Sequence, residues 1–169
     1  MEELKNLKKN YKDTEALERD LRREVVELRD FVENAALPLH WVNGSGILIW
    51  VNQAELDLLG YKKEEMLNQH ISKFHADQNV IEDILRRLID KETLMNYPAR
   101  LLCKNGEIKD VLITSNVYWE NGQFIHTRCF TRDVTQLRKE EREKEKLIKK
   151  LELKVAQLEM ENKDLKSKK

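Results

Sequence analysis

The sequence predicts an α+β protein, with five strand-like runs and three short helical segments in the order β-β-α-α-α-β-β-β, held between two long charged helices. Three observations carry this. Ile47-Leu48-Ile49-Trp50-Val51 is apolar, β-branched and aromatic, short enough for one buried strand, and is followed by the punctuating residues Asn52 and Gly60. Asn-Gly stands twice between strand-like runs, at Asn105-Gly106 and Asn121-Gly122, which is the strongest short-range hairpin signal. Both ends of the chain lack Gly and Pro and repeat apolar residues at alternating steps of three and four.

Residues 2–33 read as one helix with a heptad seam at Leu4, Leu7, Tyr11, Thr14, Glu18, Leu21, Val25, Leu28 and Val32. Glu15 with Arg19, and Glu18 with Arg22, stand four apart with the acid first, the better order for helix support. So narrow a stripe needs a partner, most simply a second copy in a parallel dimer. Pro38 disfavours helix in the residue before it, so the helix ends near Asn34-Ala35-Ala36-Leu37.

Leu39 to Val42 is a short strand, and Asn43-Gly44-Ser45-Gly46 is a tight turn leading into the Ile47 to Val51 strand. Asn52 suits the N-cap of a short helix, with Ala54, Leu58 and Leu59 expected on one side and Glu55 and Asp57 on the other. Gly60 closes it as the residue that most easily turns left-handed. Lys62 to Leu67 forms a second short helix, and Ile71 to Ala76 a connector with a helical turn. From Asn79 to Asp90 the period is helical, with Ile81, Ile84, Leu85, Leu88 and Ile89 on one face. Strands at Tyr97 to Cys103, Ile108 to Trp119 and Phe124 to Arg132 follow, joined by the two Asn-Gly turns.

After Thr135 the seam returns at Val134, Leu137, Glu141, Lys144, Ile148, Leu151, Val155, Leu158, Asn162 and Leu165. Its middle is polar at Glu141 and Lys144, and Leu147 to Leu165 is a good zipper. Asn162 falls at an a position, where a buried Asn favours parallel two-stranded pairing. Such a helix reaches roughly 50 Å from the domain.

Four motifs in order resemble the PAS sensor family: Val51-Asn52-Gln53-Ala54; Leu59-Gly60-Tyr61 with Glu64-Glu65-Met66-Leu67; Lys104-Asn105-Gly106-Glu107; and Phe130-Thr131-Arg132-Asp133-Val134-Thr135. The likeness covers roughly Phe31 to Thr135. It implies a five-stranded antiparallel sheet with helices on one face, and a division into a coiled-coil helix at 1–33, a PAS domain at 34–135 and a second coiled-coil helix at 136–169. It also implies that Asp133, Val134 and Thr135 join the last strand to an output helix. Asp and Thr suit a helix start on their own chemistry. Asn68 stands where the family often has Gly, and Asn too can turn left-handed. The flavin-binding LOV relatives carry a reactive cysteine where this chain has Asn68 to Phe74, so no covalent flavin adduct is expected.

Charge excludes several classes. Lys plus Arg and Asp plus Glu are equal at 31 each, which gives no overall field for nucleic acid or an anionic membrane, and neither partner is expected. Lys163, Lys166, Lys168 and Lys169 are interleaved with Glu161 and Asp164 and read as a solvated end. Cys103 and Cys129 lack CxxC or zinc-type spacing, so no metal site is expected and two reduced thiols are. No run of 18 apolar residues and no signal-peptide core occur, so the expected setting is cytoplasmic. With no phosphate-cradling loop, no activated nucleophile and no His in 136–169 to accept a phosphoryl group, no catalytic residues are assigned. No kinase, cyclase or DNA-binding module is recognised in this sequence, so the expectation is a sensor or connector without its own output, or a piece of something longer.

The histidines are His40, His70, His75 and His126. In haem-binding PAS proteins the axial His stands on the long helix, here Asn79 to Asp90, which has none. His75 is the nearest candidate, and haem is not expected. On the last strand His126 shares a face with Arg128 and Phe130, while Thr127 and Cys129 share the other with Ile125. The candidate ligand residues are therefore His75, Thr127, Cys129 and His126, for a small molecule of unknown identity. The alternative is a tightly packed core with no ligand. The expected function is a homodimeric sensory module passing a ligand- or partner-induced change to its C-terminal helix, or else a ligand-free interaction scaffold.

Overall fold

The computed structural model describes the backbone of residues 2–167 and the side chains of residue 11 and residues 13–163. The seam positions Leu4, Leu7 and Leu165 and the terminal lysines Lys166, Lys168 and Lys169 lie outside the described side chains. The elements run α1 (Glu2–Glu33), β1 (Leu39–Val42), β2 (Leu48–Val51), α2 (Gln53–Leu59), α3 (Lys63–Met66), a 3₁₀ turn (Ile71–Phe74), α4 (Gln78–Ile89), β3 (Leu94–Leu102), β4 (Ile108–Glu120), β5 (Gln123–Asp133) and α5 (Thr135–Ser167).

Local chemistry sets the turns. Asn43 Oδ1 accepts the amides of Ser45 and Ile47, both at 3.0 Å, which folds the β1–β2 turn on itself. Asn121 and Gly122 both take positive φ, 49° and 78°, the two-residue turn whose twist matches the strands it joins. Asn52 caps α2 by accepting the Glu55 amide at 3.0 Å, and Gly60 at φ 74° returns its amide to Leu56 O at 2.8 Å. Asn68 is left-handed at φ 62°.

The five strands form one antiparallel sheet in the order β2-β1-β5-β4-β3. Alternation along β4 and β5 sends Val111, Ile113, Val117 and Cys129 inward, where they pack with Leu56, Leu59, Met66, Phe74, Ile81, Ile84 and Leu88 from the helical side. The other sheet face keeps Tyr118 and Phe130 exposed.

Three local expectations change. Glu55, expected on the solvent side of α2, is buried at 1% exposure because the Asn52 cap turns this first-turn position inward, toward His40 and Thr131. β3 starts at Leu94 rather than Tyr97, since a bulge with Asn96 at φ 51° breaks the alternation that marks a strand. Pro98 is accommodated because β3 is an edge strand. Ile89 is 54% exposed beyond the buried stripe Ile81-Ile84-Leu88.

Candidate functional site

The sheet brings two features of chemical interest onto β5. One is the root of α5. The strand ends at Asp133, whose Oδ1 accepts the Thr135 amide at 2.8 Å and so caps the helix. Thr135 Oγ1 accepts the Asp110 amide at 3.0 Å and donates to Asp110 O at 3.3 Å, and the Val134 amide donates to the same carbonyl at 2.9 Å. Val134 is buried against the sheet. Lys109 Nζ lies 3.0 Å from Asp133 Oδ2, and Arg142, about two turns further along α5, reaches Asp110 Oδ2 at 2.8 Å. Partial burial raises the Asp133 carboxyl pKa, but the Thr135 bonds and the Lys109 charge outweigh it and hold it below the usual carboxylate range. Asp133, Val134 and Thr135 thus tie the first turn of α5 to the start of β4.

The second feature is a polar cluster inside the core. Thr127 and Cys129 point inward from β5 and His75 reaches the same space from the end of the 3₁₀ turn; all three are buried. Thr127 Oγ1 accepts the Val42 amide at 3.0 Å, holding β1 where its ladder with β5 has ended. His126 does not join them. It lies on the opposite sheet face, stacked on Trp41 with ring centroids 4.3 Å apart and near Tyr118 at 5.5 Å. The space lined by His40, His75, Thr127, Cys129 and the aliphatic side chains of α4 is a void of ≈10 Å³, about the room one water needs.

Two members of the cluster escaped the sequence reading. His40 and Glu55 are both buried, with His40 Nδ1 3.3 Å from Glu55 Oε1, an ion pair when the imidazole is protonated. Thr131 donates weakly to the same carboxylate oxygen at 3.4 Å. Burial works against charge on His40, yet neighbouring Cys129 and Glu55 outweigh it and raise the imidazole well above its ordinary 6.5. His75 goes the other way: burial and the nearby His40 charge bring it down to about 3 despite Asp77. Within one core, His40 is thus shifted toward its protonated form and His75 toward its neutral one. A carboxylate at the first turn of a helix is ordinarily a solvated cap partner, which is why Glu55 gave no signal. Among the described residues no group of three or more His, Cys, Asp or Glu could hold a metal ion.

A five-stranded antiparallel sheet, helices on one face and a last strand running directly into a long helix define the class of α+β domain. The chain belongs to the PAS family: a family model described as PAS domain matches residues 36–136. Among solved structures it is similar to the PAS domain of an HTR-like protein from Haloarcula marismortui, at 20% identity and TM-score 0.61, covering 70% of this chain and 98% of that one. It is also similar to a domain of the sensory box sensor histidine kinase/response regulator from Geobacter sulfurreducens, at 20% identity and TM-score 0.57, covering 67% and 96%. An RNA-binding light-oxygen-voltage receptor matches at 17% identity and TM-score 0.64, covering 72% of this chain and 36% of that one. No curated protein matches the chain. At these identities the structural likenesses speak to the fold. PAS domains are generally sensory parts of signal-transduction proteins rather than catalysts. Among the described residues no helix is long and apolar enough to cross a membrane.

Proposed function

We propose that the chain is a homodimeric cytoplasmic signalling module in which a change in the PAS sheet is passed to α5 through Asp133, Val134 and Thr135. The observation that carries this is the bonding at the root of α5. Its first turn is fixed to Asp110 of β4 by the Val134 amide and the Thr135 hydroxyl, so displacement of β4 against β5 must tilt or rotate the helix. Residues 1–33 and 136–169 act as coiled-coil helices around a PAS domain at 34–135. Support for self-pairing is the stripe of exposed apolar residues on each: Leu21, Val25 and Leu28 on α1, and Ile148, Leu151, Val155 and Leu158 on α5. A single helix cannot cover such a stripe, and Asn162 at an a position favours the parallel arrangement.

The input is a partner protein or a small molecule. The ≈10 Å³ void favours the second reading of a ligand-free dimerisation scaffold, because no organic molecule fits unless the core opens around His75, Thr127 and Cys129. Native mass and an absorption spectrum of the purified protein decide between them. A dimer mass with an added small molecule, or a Soret or flavin band, supports a ligand sensor. A dimer of bare polypeptide supports the scaffold, and a monomer overturns the pairing.

A further inference from the structure

We propose that α1 is a signal-entry element, coupled to the root of α5 through a buried polar chain that runs Asn52, Glu55, then His40 and Thr131. This rests on the reading of α5 as the output helix. It adds an input that needs no ligand in the core.

Asn52 is fully buried and bonds in two directions. Its Nδ2 donates to Leu37 O at 2.9 Å and more weakly to Val32 O and Ala35 O at 3.3 and 3.4 Å, so it grips the end of α1 and the segment leading to β1. Its Oδ1 accepts the amides of Leu39 and Glu55 at 2.9 and 3.0 Å, so the same side chain sets the start of β1 and the first turn of α2. Movement of the α1 end therefore moves the backbone that carries Glu55.

Glu55 cannot move alone. A buried carboxyl group is costly without partners, and His40 and Thr131, both buried, are the groups that hold it, at 3.3 and 3.4 Å through the one oxygen Oε1. Its Oε2 and His75 Nδ1 are buried without partners, so the carboxylate has an unused oxygen with which to change arrangement. His40 sits on β1 opposite Cys129 of β5, and the Thr131 amide donates to Pro38 O at 3.0 Å. Both contacts of Glu55 thus bear on β5, at Cys129 and Thr131, four and two residues before Asp133. A second hold on α1 comes from Glu33, whose carboxylate accepts from Trp50 Nε1 at 3.2 Å and pairs with Lys63 at 2.8 Å.

The test uses the full chain and hydrogen exchange read amide by amide. Asn52→Ser keeps an N-cap oxygen for α2 and drops the amide donors that reach α1. Glu55→Gln keeps the shape of the side chain and drops its charge. Each variant is expected to speed exchange of the Val134 and Arg138 amides by roughly tenfold while leaving the Gly106 amide of the β3–β4 turn unchanged. The double variant is expected to do no more than either single change, the mark of residues acting in one chain. Unchanged junction amides, equal acceleration everywhere, or effects that multiply in the double variant would overturn the proposal. Thr131→Val, expected to reproduce Glu55→Gln at the junction, gives a check that leaves Asn52 untouched. The readout lies within one chain, so a monomeric native mass would end the dimer reading without affecting this one.

Discussion

His75 makes the interior sensitive to acid. Its imidazole is held neutral, with a pKa of about 3 against an ordinary 6.5, by burial first and by the His40 charge second. The unfolded chain therefore binds a proton at higher pH than the folded one does. Stability from this group is complete above pH 6.5 and falls as pH drops toward 3, by up to about 1.4 kcal/mol per pH unit. His75→Gln is expected to flatten that limb in urea titrations at pH 7 and pH 5. An undiminished loss between those two values would show that His75 is not its source. His40 has the opposite sign. Raised above its unfolded value, it contributes stability that is present below pH 6.5 and is lost as pH rises through its folded pKa. The lowered carboxylates Asp77, Asp83 and Asp133 add an acid limb of their own, below their unfolded values near 3.8. Which histidine is neutral could not be read from sequence, because His40 and His75 become neighbours only when β1 and the 3₁₀ turn meet over β5.

At the scale of elements, the strand-to-helix junction is the most legible feature. Asp-Val-Thr at the end of an alternating run announces both a strand end and a helix start, and β5 and α5 meet there. The partner was not legible: Asp110 lies in β4, the middle strand of β3, β4 and β5, and only the β4–β5 register sets Val111 opposite Asp133. Thr135→Val removes the hydroxyl that bonds both backbone groups of Asp110, a loss of about 1 kcal/mol confined to the first turn of α5. Faster exchange at Arg138 with unchanged exchange in the sheet is expected. An unaltered Arg138 amide would deny Thr135 its part in fixing the helix. β3 shows the opposite case, where a bulge at Asn96 hid the true start of the strand from any count of alternating residues.

For the whole molecule, the issue is what covers the two long helices. Leu151 is 54% exposed in the middle of the α5 stripe, flanked by Ile148 and Val155. Leu151→Lys places a charge in that stripe and is expected to weaken self-association at least tenfold, about 1.4 kcal/mol, in sedimentation at varied concentration. The PAS sheet should keep its near-ultraviolet circular dichroism, since Leu151 is exposed and not part of the domain core. An unchanged association constant would mean that α5 does not pair along this stripe. The sheet's outer face, where Trp41, Trp50, His126 and Tyr118 cluster, stays intact in that variant and serves as its internal control.

The order of elements, the turns and the caps followed from the sequence alone. Each depends on residues within a few positions of one another: Asn-Gly for a hairpin, and Asn52 and Gly60 for the ends of α2. Alternation put Thr127 and Cys129 on one face of β5, but only the packed sheet decided that this face, and not that of His126, turns inward. The contents of the core did not follow. That Glu55 is buried, that His40 is shifted up and His75 down, and that the enclosed space is ≈10 Å³ depend on side chains from α2, β1, the 3₁₀ turn and β5 meeting in three dimensions. Local pattern sets which way a side chain points; the low dielectric and close packing of the assembled interior set its charge and what it can hold.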